Sequence, residues 1–355
     1  MANTSSNSLR IAVAGVTGYA GAELARILLH HPRLSAPPLF LRREGAEEAL
    51  RLVDIHPRLF GTPSADATEV VPFSWKTLEQ QGINILFLAL PHEQSRELAP
   101  IALSHNIRVV DLSAAWRLQH ADNRAIYKLH DPNPDSAAKL QAEAVYGSPE
   151  LHAAQIKSAR LVANPGCYAT SVILGLAPLV RSNLADLSIG IVADSKSGVS
   201  GAGKLPTPTT HFMHAADNLS AYAVFNHRHT GELREQLNLT REQITFTPHL
   251  LPISRGILST LYVRLTKECS VDELQSCFDD FYANAPLVRM RRSPTLPEIQ
   301  HVVRTSFCDL GFRLAPDNRR LIVISCLDNL LKGAASQAVE NMNLMAGFHQ
   351  QEGLL

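Results

Sequence analysis

Four short segments of this 355-residue chain combine residue types and spacing that can do chemistry. The first is Gly15-Val16-Thr17-Gly18-Tyr19-Ala20-Gly21, between an apolar run and a helical pattern. Glycines in that context form a tight turn and let backbone N–H groups approach a pyrophosphate, aided by the positive end of the helix dipole. The spacing is GxxGxxG, and a plain turn is the bland alternative. About 20 residues on, Leu41-Arg42-Arg43 ends the next apolar run. Two guanidinium groups there suit a 2′-phosphate, as in NADP(H), and Glu44 offers a ribose contact instead.

The second segment is Asn164-Pro165-Gly166-Cys167-Tyr168-Ala169-Thr170. A thiol between a Pro-Gly turn and an apolar helix is expected to have a lowered pKa and to act as a nucleophile. Cys269, Cys277, Cys308 and Cys326 lack that setting and read as small apolar residues. The third is Asn226-His227-Arg228-His229-Thr230-Gly231-Glu232. Its histidines can supply an acid/base, with Glu232 as the orienting carboxylate, and Thr230 suits a helix cap. No third or fourth ligand is spaced for a metal. The fourth, Asp194–Lys204, is rich in Gly and Ser and reads as a loop over cofactor or substrate, without Walker spacing.

The elements that must position these groups follow from periodicity. Leu9–Ala14, Pro38–Leu41, Asn84–Ala89 and Arg108–Leu112 read as strands, and Ala20–His30 and Ser95–His105 as helices. That alternation predicts an α/β fold: a Rossmann-type, doubly wound parallel sheet. Beyond about residue 165 the pattern changes. Helices are expected at Ala169–Val180, Val271–Tyr282 and Leu330–Gly347, and strands at Ser188–Ser195, Ile244–Pro248, Leu258–Thr266 and Leu321–Ser325. Residues 1–163 are therefore expected to form the dinucleotide-binding domain and 164–327 an α+β catalytic and oligomerisation domain, with 328–355 packing back on the first.

Composition narrows the classes. Hydrophobic residues make up 45% and charged residues 19%, which suits sizeable cores. Lys+Arg and Asp+Glu each number 33, so there is no global basic field for nucleic acid. No apolar run approaches the ~18 residues of a membrane span. Five scattered cysteines suggest neither a disulfide framework nor a zinc site, and a reducing cytoplasm is the expectation.

Read together and in order, these segments resemble one family. Gly15–Leu24, Leu88–His92, Asp111–Leu118, Val162–Thr170, Lys196–Gly203, His227–Glu232, Ser254–Thr260 and Asp328–Ala334 are similar to the N-acetyl-gamma-glutamyl-phosphate reductases, of the aspartate-semialdehyde-dehydrogenase-like superfamily. The resemblance runs from about Arg10 to the C-terminal helix. Gly231 stands where the family commonly has Pro, and Arg42-Arg43 replaces a more Ser/Thr-rich stretch. The resemblance implies NADPH-dependent reduction of an acyl phosphate through a Cys167 thioester. His229 is the favoured acid/base, and His227 an alternative or a substrate contact. It further implies Ser197, Gly198, Asn329 and Lys332 near the cofactor, and Ser113, Arg117, Asn164 and Arg255 near the substrate. The expected partners are the acyl phosphate and inorganic phosphate, and the assembly a homodimer or homotetramer. Two alternatives remain at this stage: a sister reductase for aspartyl or aminoadipyl phosphate, and a non-catalytic NADP-binding sensor.

Overall fold

The computed structural model describes residues 9–42, 49–131 and 133–355. An eight-stranded sheet is built from β1 (Ile11–Ala14), β2 (Leu39–Arg42), β3 (Leu50–Arg51), β4 (Glu69–Pro72), β5 (Ile85–Leu88), β6 (Arg108–Asp111), β7 (Val145–Tyr146) and β8 (Leu161–Ala163). Its order is β3-β4-β2-β1-β5-β6-β8-β7, and every pairing is parallel except β3 with β4. β1 shows why it reads as uniformly apolar. Ile11 and Val13 pack with Leu24 and Leu28 of the Tyr19–Leu28 helix, whereas Ala12 and Ala14 pack with Ala99 and Leu103 of the His92–Ser104 helix. A strand alternates its side chains, so burial on both faces requires apolar residues throughout.

The second sheet comprises β9 (Ile191–Gly198), β10 (Ser220–Ala221), β11 (Ile244–Leu251), β12 (Ile257–Arg264), β13 (Val288–Met290), β14 (Cys308–Leu314) and β15 (Arg320–Leu327), in the order β10-β11-β9-β12-β15-β14-β13. The Cys167–Arg181 helix buries Val172, Ile173 and Leu176 against its inner face, beside Leu261 and Val323. The outer face carries exposed Val192, Tyr262 and Ile322 in one row across three strands. The C-terminal helix Ala335–Met345 packs on the first domain, with Ala338, Val339 and Met342 in the core that holds Leu24.

Several expectations shift. Asp194–Gly198 belongs to β9 and not to a loop, which leaves the short turn Val199–Ala202. The C-terminal helix begins at Ala335 and not at Leu330, because the Asp328 carboxylate takes the N–H groups of Leu330 and Leu331 into a turn. β14, absent from the sequence reading, contains Gly311, where a Cβ would lie 2.9 Å from the Thr295 carbonyl. Among the described residues, no helix is long and apolar enough to cross a membrane.

Candidate active site

β8 ends at Ala163, and the chain turns through Asn164-Pro165-Gly166 into the helix that starts at Cys167. Gly166 at the cap supplies no side-chain acceptor, so first-turn N–H groups stay directed at the thiol. This turn is clamped on both sides. Arg117 Nε donates to the Asn164 carbonyl at 2.7 Å, and Glu232 Oε2 accepts the Gly166 N–H at 2.9 Å. Glu232 is fully buried and also accepts Tyr146 O–H at 2.7 Å and Arg117 Nη1 at 3.2 Å.

The two histidines sit at the start of the Thr230–Leu237 helix. His229, not Thr230, holds the cap position. The His229 backbone N–H donates to His227 Nδ1 at 3.1 Å. An N–H must donate, so Nδ1 of His227 carries the lone pair and its ring proton sits on Nε2. The two rings lie 4.7 Å apart at 80°, walled by Tyr168, Tyr222 and Phe246. The His229 ring rests on Gly166: a Cβ there would come within 2.4 Å of Nε2. His229 Nδ1 is buried and has no hydrogen-bond partner among the described residues. The expected role of Glu232 is therefore corrected. It bonds neither histidine ring, because Arg117, Tyr146 and Gly166 occupy its oxygens.

Burial controls the charge state. It pushes the Cys167 thiol up to about 11, against the Tyr168 N–H and the Arg117 charge, which act to lower it. The expected lowering by the helix terminus is thus overturned: desolvation of the thiolate outweighs it. Burial also lowers His227 to about 2 and holds His229 well below the usual histidine range, with Arg117 and Arg228 adding to it. The resting site pairs a neutral thiol with neutral imidazoles.

Cys167 lies between two cavities. The first, about 390 Å³, is lined by Gly18–Gly21, Arg117, Cys167, Arg228 and His229 among others. The second, about 510 Å³, is lined by Cys167, Ser197, Gly198, Tyr222, His227 and Arg228 among others. On the other side of the glycine turn, Gly15, Thr17 and Arg42 line a third cavity with Phe73 and Leu90. The turn itself fits a dinucleotide. Gly15 has φ +89°, and a Cβ there would lie 2.2 Å from the Ala89 carbonyl. A Cβ on Gly21 would lie 2.3 Å from the Gly15 carbonyl, so both are required by packing. Gly18 instead has open space, with its nearest neighbour 3.8 Å away. The helix after it has neither a side-chain cap nor an acidic residue in its first turn, which leaves its N–H groups for an anion. His56 Nε2 donates to the Val16 carbonyl at 2.7 Å and Lys204 Nζ to that of Thr17 at 3.4 Å. Arg43 lies outside the described residues.

Several sequence assignments need correction. Arg255 is no substrate clamp: its guanidinium is buried between Glu23 at 2.7 Å and Asp328 at 3.0 Å. Lys332 does not reach a cofactor, being fully buried with Nζ 2.6 Å from both Glu150 and Glu340. Asn164 gives its side chain to Ala334 and Asn341, so only its backbone serves the site. Ser197 and Gly198 line the second cavity and not the one that the glycine turn lines. Ser113 and Asn329 do line the first cavity, although Ser113 Oγ bonds Asp111 and Asn329 bonds Ser200 and Gly256. Sequence reasoning missed Arg228 and Gly333. A Cβ on Gly333 would lie 2.7 Å from Cys167 Cβ, a contact between residues far apart in the chain.

Comparison with known proteins gives the family. Residues 10–159 match the model described as "Semialdehyde dehydrogenase, NAD binding domain", and residues 167–329 match "Semialdehyde dehydrogenase, dimerisation domain". The N-acetyl-gamma-glutamyl-phosphate reductase of Desulforapulum autotrophicum is 41% identical over 350 residues, covering 98% of each chain. That of Bacillus subtilis is 39% identical over 349 residues, again covering 98% of each. Among solved structures, aspartate semialdehyde dehydrogenase II of Vibrio cholerae, complexed with ASA, superposes with a TM-score of 0.71 over 96% of this chain and 99% of that one. At 15% identity, that likeness shows the fold alone. With near-complete coverage by relatives at about 40% identity, the chain belongs to the N-acetyl-gamma-glutamyl-phosphate reductase family.

Proposed function

We propose that this chain reduces N-acetyl-L-glutamyl 5-phosphate to N-acetyl-L-glutamate 5-semialdehyde with release of phosphate, using NADPH, in arginine biosynthesis. The observation that carries the reading is Cys167 at a clamped helix start, between two cavities, with the His229 ring on the adjoining Gly166. The names of relatives at about 40% identity support the substrate.

The chain's own groups define the sequence of events. Sγ of Cys167 bonds to the acyl carbon, and its proton passes to the neutral His229 imidazole. Phosphate leaves from the tetrahedral adduct and a thioester remains on Cys167. When bound along Gly15–Gly21, a reduced nicotinamide dinucleotide supplies hydride to that thioester. His229 then returns a proton to sulfur as the thiohemiacetal collapses to the aldehyde. Its unpartnered Nδ1 leaves a ring nitrogen open to a proton, and burial keeps the ring neutral, and so able to accept one, in the free protein. The thioester holds the acyl group in place between the two half-reactions. Arg117 fixes the Asn164 carbonyl, and Glu232 fixes the Gly166 N–H, so the nucleophile does not drift.

Arg42 beside Thr17 supports a 2′-phosphate and hence NADPH. The exposed row Val192, Tyr262 and Ile322, within the region matched to a dimerisation domain, supports self-association.

Wild-type protein mixed with acyl phosphate but no NADPH should release phosphate in a burst equal to the active sites. Mass spectrometry should find the acyl group on Cys167, and Cys167→Ser should give neither. An adduct on Cys308 or Cys326, or full activity in the serine variant, would refute the reading.

A further inference from the structure

Among the described residues, three cations line the first cavity and no carboxylate does. They are not equivalent. Arg117 spends its guanidinium on Asn164, Leu112 and Glu232. Lys204 gives Nζ to the Thr17 carbonyl, on the glycine turn. Arg228 is exposed: its backbone carbonyl accepts Tyr127 O–H at 3.1 Å, and its guanidinium pairs with no carboxylate among the described residues. Arg228 also lines the second cavity, where it is the only Lys, Arg, Asp or Glu among the described residues. The chain reaches it through Ala223 and Phe225, both left-handed at φ 44° and 60°. L-residues hold that conformation only where their surroundings impose it.

We propose that Arg228 is the specificity-determining clamp for the carboxylate at the far end of the acyl substrate, seated in the second cavity. The inference rests on the thioester reading above. The glycine turn lines the first cavity, so an acyl chain bonded to Cys167 Sγ extends into the second. A carboxylate entering that cavity meets one guanidinium, the imidazoles of His214, His227 and His229, and hydroxyls and amides such as Thr207, Thr210, Tyr222 and Asn226. A guanidinium without a competing carboxylate offers a planar, two-pronged donor set to it. The geometry therefore selects acyl phosphates that carry a second carboxylate over those that lack one.

The test needs no turnover. N-acetyl-L-glutamate and 4-acetamidobutyrate differ by that one carboxylate, and each is used to protect Cys167 of the full-length protein from iodoacetamide. Wild-type protein should prefer N-acetyl-L-glutamate by roughly 10- to 100-fold, the span of a charge-assisted hydrogen bond. Arg228→Gln should abolish the preference, and Arg228→Lys should restore part of it, because an ammonium keeps the charge and loses the fork. Protection by inorganic phosphate should be equal in all three proteins. A preference that survives in Arg228→Gln overturns the clamp. So does equal weakening of both ligands, or loss of phosphate protection alone, which would assign Arg228 to the phosphoryl group. Turnover of N-acetyl-L-glutamyl phosphate is assayed separately. Its absence alongside an Arg228-dependent preference removes the proposed reaction and leaves the clamp standing.

Discussion

Glu232 and Gly166 stand 66 residues apart in the chain, and a carboxylate oxygen of the first accepts the backbone N–H of the second at 2.9 Å. The turn that presents Cys167 is thus held by a buried anion from the histidine helix. That anion is in turn satisfied by Arg117 and Tyr146. Glutamine at 232 would bring one acceptor and one donor to a place where three donors converge. Glu232→Gln should therefore lower stability by about 3–5 kcal/mol, as expected when one partner of a buried ion pair is removed. Urea denaturation measures this. A change below about 1 kcal/mol, the scale of an exposed pair, would mean the network is not coupled as its geometry requires.

Gly333 makes a second distant contact, with its Cα side against Cys167 Cβ. Gly333→Ala would press a methyl to within 2.7 Å of both that atom and the Asn329 carbonyl, so the contact between the cysteine and the Asn329 turn must open. A displacement near 1 Å costs on the order of 10²-fold in rate. We expect kcat, measured at saturating dinucleotide, to fall on that scale. Unaltered kcat would show that the thiol has room to spare.

Burial raises the Cys167 thiol and lowers His229, so the free protein holds little thiolate at neutral pH. Thiolate is the reactive form. With the thiol pushed up to about 11, iodoacetamide modification should climb steadily with pH from 7 to 10, without levelling. His229→Asn should leave that profile nearly unchanged, yet lower kcat by about 10²–10⁴-fold. A plateau below pH 8 would reveal a preformed thiolate–imidazolium pair instead.

Arg42 lines the cavity beside Thr17. Arg42→Ala should remove a charge-assisted bond of roughly 1.5–3 kcal/mol to the 2′-phosphate. The ratio of kcat/KM for NADPH over NADH should then fall about tenfold or more. Adding Arg43→Ala tests its neighbour. A constant ratio in the double variant would place the phosphate elsewhere.

Lys332 is fully buried between two carboxylates, and burial pushes Glu340 up to about 7. Lys332→Met should destabilise the fold by about 3–5 kcal/mol, since Glu150 and Glu340 lose their shared cation. Dinucleotide affinity of the remaining folded protein should match wild type. A selective loss of affinity would return Lys332 to the cofactor site.

The readable parts of this protein were those decided within a few residues. Strand, glycine turn and helix follow one another at Ile11–Leu28, and turn and helix at Asn164–Arg181, because backbone conformation there depends on local residue type. The apolar run at β5 likewise follows from burial on both faces of a parallel sheet. Boundaries moved where a side chain from the same turn intervened, as Asp328 does at Leu330 and Leu331.

The roles of the charged residues were decided only by tertiary structure. Arg117, Arg228, Arg255 and Lys332 look alike in a string of letters; Arg117 and Arg255 invited the same reading as anion clamps, and Lys332 a place beside the cofactor. Arg117 found Glu232 115 residues away, and Arg255 found Glu23 232 residues away. Lys332 found Glu150 and Glu340, and Arg228 found no carboxylate among the described residues. The same holds for the thiol, whose helix-terminus position argued for a low pKa until burial reversed it. Desolvation makes every buried charge depend on its partner, and that partner is brought to it by the fold and not by the neighbouring sequence.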